Sequence, residues 1–63
     1  MDIPDEQLIQ KYIAWCKERG FNQSKMAMIA KKSKAWATLI VTGRIKKLNF
    51  DTRNQIISIL GIS

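Results

Sequence analysis

Histidine is absent from this 63-residue chain, and cysteine occurs once, at Cys16. A disulfide within the chain is therefore impossible, and with one thiol and no imidazole a zinc site is not expected. Without histidine, a paired nucleophile or a glycine-rich phosphate loop, acid–base and metal chemistry lack their parts. The chain is expected not to be an enzyme and to need no cofactor, and nothing in it marks a small-molecule substrate. No apolar run approaches the roughly 20 residues that cross a bilayer. The acidic opening Met1-Asp2-Ile3-Pro4-Asp5-Glu6 is unlike a signal peptide. These readings predict a reducing, cytoplasmic setting with no membrane partner.

Acidic residues are scarce where basic ones are dense. Asp2, Asp5, Glu6 and Glu18 lie near the start and Asp51 near the end. Between Glu18 and Asp51 stand Arg19, Lys25, Lys31, Lys32, Lys34, Arg44, Lys46 and Lys47 with no carboxylate among them. A solvated surface is better served by mixed signs. A one-sign stretch fits a polyanion, nucleic acid ahead of an anionic membrane surface.

Proline and glycine are also few, and their places are informative. Gly20, Gly43 and Gly61 each close an apolar-periodic segment, as residues just past a helix end do. Pro4 suits a first helical turn. Leu8, Ile9, Tyr12, Ile13 and Cys16 recur at spacings of three and four and predict a helix to about Arg19, its edge covered by Trp15. Cys16 reads as a small core residue. Asn22 is an N-cap for a second helix burying Met26, Ala27 and Ala30, and Ser33 caps a third that runs through about Thr42 with Ala37 and Ile40 inward. After a basic loop, Asn49 caps a fourth helix with Ile56, Ile57 and Leu60 buried and Phe50 over one end. No alternating strand pattern survives, so the chain is expected to be all-α, a single domain over 1–63 of four or five short helices.

The stretch from Asn22 to Gly43 resembles the helix-turn-helix of the lambda-repressor-like family, the phage repressors and Cro-type regulators. That family's pattern is a capping residue and Gln, a small Ala in the helix and a short turn. A Ser cap, two apolar positions three apart and a Gly follow. Here these are Asn22, Gln23, Ala27, Ser33, Ala37, Ile40 and Gly43, with no gap. Leu48-Asn49 and Ile59-Leu60-Gly61-Ile62 are similar to its fourth helix and exit. Lys31 stands where most members have a turn glycine, so the backbone there is expected to stay helical longer. Lys32 replaces an apolar inward residue, its stem free to cover the core.

The resemblance implies sequence-specific binding to double-stranded DNA as a phage- or bacterial-type transcriptional regulator, with repression the leading role. The recognition helix, about Ser33 to Thr42, would enter the major groove. Lys34, Ala35, Trp36, Thr38 and Leu39 would face the bases. Asn22, Gln23 and Ser33 would approach phosphates, and Arg44, Lys46 and Lys47 would clamp the backbone. Trp36 has two readings, a base or sugar contact or a packing residue at the helix corner. Leu39 can meet a thymine methyl or pack at a helix edge. Met28 and Ile29, outward in this alignment, either bury through a shifted turn or join a protein interface. Relatives begin a fifth helix about where Ser63 lies, so pairing is expected on a two-half-site operator, weakly or not at all when free. The competing class is an antitoxin-like or anti-repressor module that binds protein through Met28, Ile29, Trp36 and Leu39.

Overall fold

The computed structural model describes residues 3–62. Met1, Asp2 and Ser63, the outer residues of the expected 1–63 domain, lie outside them. The described residues form four helices and no strand: α1 (Asp5–Glu18), α2 (Gln23–Ile29), α3 (Lys34–Val41) and α4 (Phe50–Leu60). They fill a globule of 28 × 22 × 17 Å. No helix among them is long and apolar enough to cross a membrane.

Each start after the first is set by one polar side chain. Asn22 Oδ1 accepts from Lys25 N at 2.9 Å, Ser33 Oγ from Trp36 N at 3.3 Å and Asn49 Oδ1 from Thr52 N at 2.8 Å. Each bond satisfies an N–H that the first turn leaves without a helical partner. Pro4 sits one residue outside α1, in the capping position, and contributes no side-chain bond.

The four ends share one pattern. The residue after the cap, or at α4 the cap itself, folds back onto the last turn in a left-handed conformation, and the next amide bonds the carbonyl five residues earlier. At α1 this is Phe21 N to Cys16 O at 3.0 Å, at α3 Arg44 N to Leu39 O at 2.9 Å, and at α4 Ile62 N to Ile57 O at 3.3 Å. Gly20, Gly43 and Gly61 hold the left-handed position, with φ of 69°, 78° and 70°. The end of α2 has the same bond, Lys32 N to Ala27 O at 2.8 Å, but its left-handed residue is Lys31, at φ 59°. The expectation of a longer helix there is corrected. The helix ends at Ile29, because closing the ladder onto Ala27 requires left-handed backbone whatever the side chain. A residue with a Cβ is strained in that region by about 1 kcal/mol or more.

The core is Leu8, Tyr12 and Cys16 of α1, Met26, Ala27 and Ala30 of α2 with its turn, Ala37 of α3 and Ile56 of α4. Ile9 and Ile40 are buried beside it. Alanines occupy the α2–α3 contact, which lets two short helices approach closely. Tyr12, fully buried, donates a 2.6 Å hydrogen bond to the Met26 carbonyl and fixes α1 to α2. Burial pushes the Tyr12 hydroxyl well above its ordinary value and raises the Cys16 thiol, which favours the neutral form of both. Around Tyr12, Trp15 stacks at 6.3 Å and Trp36 leans at 6.4 Å, and Arg19 lies 4.0 Å over the Trp15 ring.

On α4 the structure departs from expectation at both faces. Thr52, four residues before Ile56, is buried at 4 % exposure, whereas Phe50 is 76 % exposed and covers nothing. Phe50 precedes Thr52 by two residues, which turns it about 200° around the helix and away from the core. Ile57 and Leu60 pack partly buried against the core.

Candidate nucleic-acid interface

The eight residues of α3 divide into two faces. Ala37 and Ile40 are buried, while Lys34, Ala35, Thr38 and Leu39 are exposed. Spacings of three and four produce this division: 37 and 40 share one side, 34, 35, 38 and 39 the other. Ser33 starts the helix with Lys34 as the first residue of its outward face.

Trp36 falls between the faces. It is half-buried, packed against the core cluster and tilted on Tyr12, the corner-packing position of its two readings. Of the four residues in the apolar-patch reading, Met28 is 62 % exposed and Leu39 39 %. Ile29 and Trp36 are half-buried. The Ile29 carbonyl is met by Gln55 Nε2 at 3.4 Å.

Gln23, the first residue of α2, is brought onto the outer face of α3. The Thr38 hydroxyl donates to Gln23 Oε1 at 2.8 Å, nearer than its in-helix acceptor, the Lys34 carbonyl, at 3.2 Å. Gln23 and Lys34 line one groove with Asn22, Ser24 and Lys17. Lys17, on α1, was not among the expected contact residues. Charge density alone flags every lysine, and only the fold shows that this one reaches the α2–α3 face.

The loop after α3 is held where that helix ends. Arg44 N and Ile45 N both donate to the Leu39 carbonyl, at 2.9 and 3.3 Å. Arg44, Lys46 and Lys47 are all exposed. Lys46 lines a second groove with Glu6, Gln7, Ile9, Gln10 and Lys11 of α1 and with Ile40, Gly43 and Ile45. Lys47 lies close enough to Asp5 to lower its pKa. No hydrogen bond or shared groove joins these three to the Gln23–Lys34–Thr38 group, so the expected contact residues fall into two sets.

Cations dominate this face, with Glu6 and Asp5 of α1 the carboxylates near its Lys46 and Lys47 edge. Among the described residues the one ion pair is Arg53 Nη1 to Asp5 Oδ1, at 2.6 Å. Lys25, Lys31, Lys34, Arg44, Lys46 and Lys47 are exposed with no carboxylate partner among the described residues. Set against a nucleic acid, exposed cations of this kind release the counter-ions condensed on its phosphates, with a gain in entropy. No group of acidic and cysteine side chains among the described residues could hold a metal ion. Comparison with protein-family models, curated proteins and solved structures found no match to this chain.

Proposed function

We propose that the chain binds duplex DNA in a sequence-specific way, with α2, its turn and α3 acting as a helix-turn-helix. The observation that carries this is the outward face of α3. Lys34, Thr38 and Leu39 stand exposed on a helix of eight residues whose other side is locked into the core. Eight residues span about 12 Å, a length that the major groove admits. Lys34 and Leu39 supply a hydrogen-bond donor and an apolar contact for base edges. Arg44, Lys46 and Lys47 supply phosphate contacts that set affinity without reading sequence. The four-residue turn of Ala30 to Ser33 between the helices and the likeness to lambda-repressor-like regulators support the same reading. Its biological form is a phage- or bacterial-type regulator, a repressor in the first instance, that pairs on two half-sites.

Selection from a pool of random-sequence duplexes tests this. The expected result is enrichment of a short motif, repeated about one helical turn apart, and bound with an affinity that falls steeply as salt rises. Recovery of no motif, together with salt-insensitive retention of the protein, would overturn the proposal. A salt-insensitive surface is what an apolar protein interface would give.

A further inference from the structure

Thr38 faces outward on α3, which by position alone makes it a candidate reader of a base. Its hydroxyl, however, is engaged within the protein, its oxygen 2.8 Å from Gln23 Oε1 and donating to it. The terminal torsion of a glutamine is broad and close to two-fold, so an isolated Gln23 would present oxygen or nitrogen to a partner about equally. A hydroxyl also accepts, and with its proton on the Lys34 carbonyl Thr38 would take the amino group instead. The bond observed, with the single proton directed to Oε1 at 2.8 Å against 3.2 Å to Lys34, breaks the equivalence. It turns the oxygen towards α3 and leaves the amino branch of the carboxamide to lead outward.

We infer that Thr38 is a positioning residue for DNA recognition, orienting Gln23 so that its amino group donates to an acceptor on the duplex. The acceptor is a phosphate oxygen or the N7/O6 edge of a guanine. The inference rests on the duplex-DNA reading above. The neighbours have the same bias: Asn22 Oδ1 and Ser33 Oγ accept helix-capping amides, which leaves their N–H and O–H groups as donors. Lys34, in the same groove as Gln23, adds a cation. A surface whose acceptors are used internally and whose donors point outward fits a partner rich in acceptors.

The test uses the full chain and a duplex recovered with it from the random pool. Thr38 is exposed, so T38V, which keeps the β-branched shape, retains the fold, and melting curves verify this. We expect T38V and Q23A each to weaken binding about 3- to 10-fold. T38S should stay within about twofold of the parent, because serine restores the donor. The double variant T38V/Q23A should bind no more weakly than Q23A alone, and selections repeated with T38V and with Q23A should lose preference at the same positions. Duplexes carrying single methylphosphonates or 7-deazaguanines then separate the two acceptors: the substitution that harms the parent and leaves Q23A unaffected marks the atom touched. Two results would overturn the inference. One is a T38V loss that persists undiminished in the Q23A background. The other is a base preference relaxed by T38V and kept by Q23A. Either would show Thr38 touching DNA by itself while the DNA reading stands. If the parent enriches no sequence, the DNA reading falls and this inference with it.

Discussion

Tyr12 and Met26 are joined by a 2.6 Å hydrogen bond from the phenol hydroxyl to the backbone carbonyl, inside a core that is otherwise almost wholly apolar. The same carbonyl accepts the Ala30 amide at 3.2 Å, so it is not orphaned when the phenol is removed. Tyr12→Phe should therefore lower stability by about 1 kcal/mol, the net worth of one hydrogen bond, rather than by the larger penalty of an unpaired buried group. Chemical denaturation checks this. A loss several times larger would mean that the hydroxyl organises the α1–α2 contact beyond its own bond.

Lys31 occupies a left-handed position that the other three helix ends give to glycine. Lys31→Gly relieves the Cβ strain there and should stabilise the chain by about 1 kcal/mol, raising the melting temperature by roughly 4–8 °C in a domain of this size. The lysine is exposed and without an ion-pair partner among the described residues, so little packing is lost. A variant that melts lower than the parent would show that the strain is offset by an interaction of the side chain.

Asp5 ties the start of α1 to α4. Its carboxylate accepts the Leu48 amide at 3.0 Å and pairs with Arg53 at 2.6 Å. The Leu48 amide first, then Arg53 and the charge of Lys47, hold its pKa below the ordinary 3.8. A carboxyl whose folded pKa is depressed stabilises the fold above its unfolded value. That contribution is lost as pH falls from about 3.8 through the lower folded value. Asp5→Asn should lower the melting temperature at neutral pH and converge with the parent as pH falls through the depressed folded pKa. A constant difference across that range would show that the tie does not depend on ionisation.

Lys34 begins the exposed face of α3. Lys34→Ala should weaken binding to a selected duplex more than to a scrambled one, by about 1–3 kcal/mol if one base contact is lost. Equal losses on both duplexes would assign Lys34 to phosphate.

Arg44, Lys46 and Lys47 should behave in the opposite way. Each alanine substitution is expected to weaken binding to all sequences alike and to flatten the log–log salt slope by about one unit per phosphate contact removed. A triple variant with an unchanged slope would place the duplex on another face.

Local signals in the chain predict most of the fold. Asn22, Ser33 and Asn49 each cap the helix expected of them, and the glycine-closed segments end where the glycines stand. These choices are made by short-range backbone chemistry and are readable in a few residues. What was not readable depends on packing. Thr52 lies on the buried face of α4 but is polar, so an apolar period passes over it, and Phe50 is apolar yet turned outward. Lys31 takes glycine's conformation because the turn demands it, a demand that its own identity conceals. At the candidate site, the exposed face of α3 follows from periodicity. The Gln23–Thr38 bond, between residues 15 apart, and the Asp5–Arg53 pair, 48 apart, do not.

Those two separations also order the chain in time. The α2–α3 corner closes over a short loop, and Tyr12 reaches Met26 across 14 residues, so these contacts cost little chain entropy to form. The Asp5 clasp must bring together segments 43 and 48 residues apart, the largest loop closure among the side-chain bonds described. A helical chain so rich in local contacts is expected to fold within microseconds to milliseconds. In that sequence the proposed DNA-reading face is assembled early, and the joining of α1 to α4 comes last. Loss of the clasp is thus expected to loosen α1 from α4 first, which amide hydrogen exchange would read as earlier opening at the two ends.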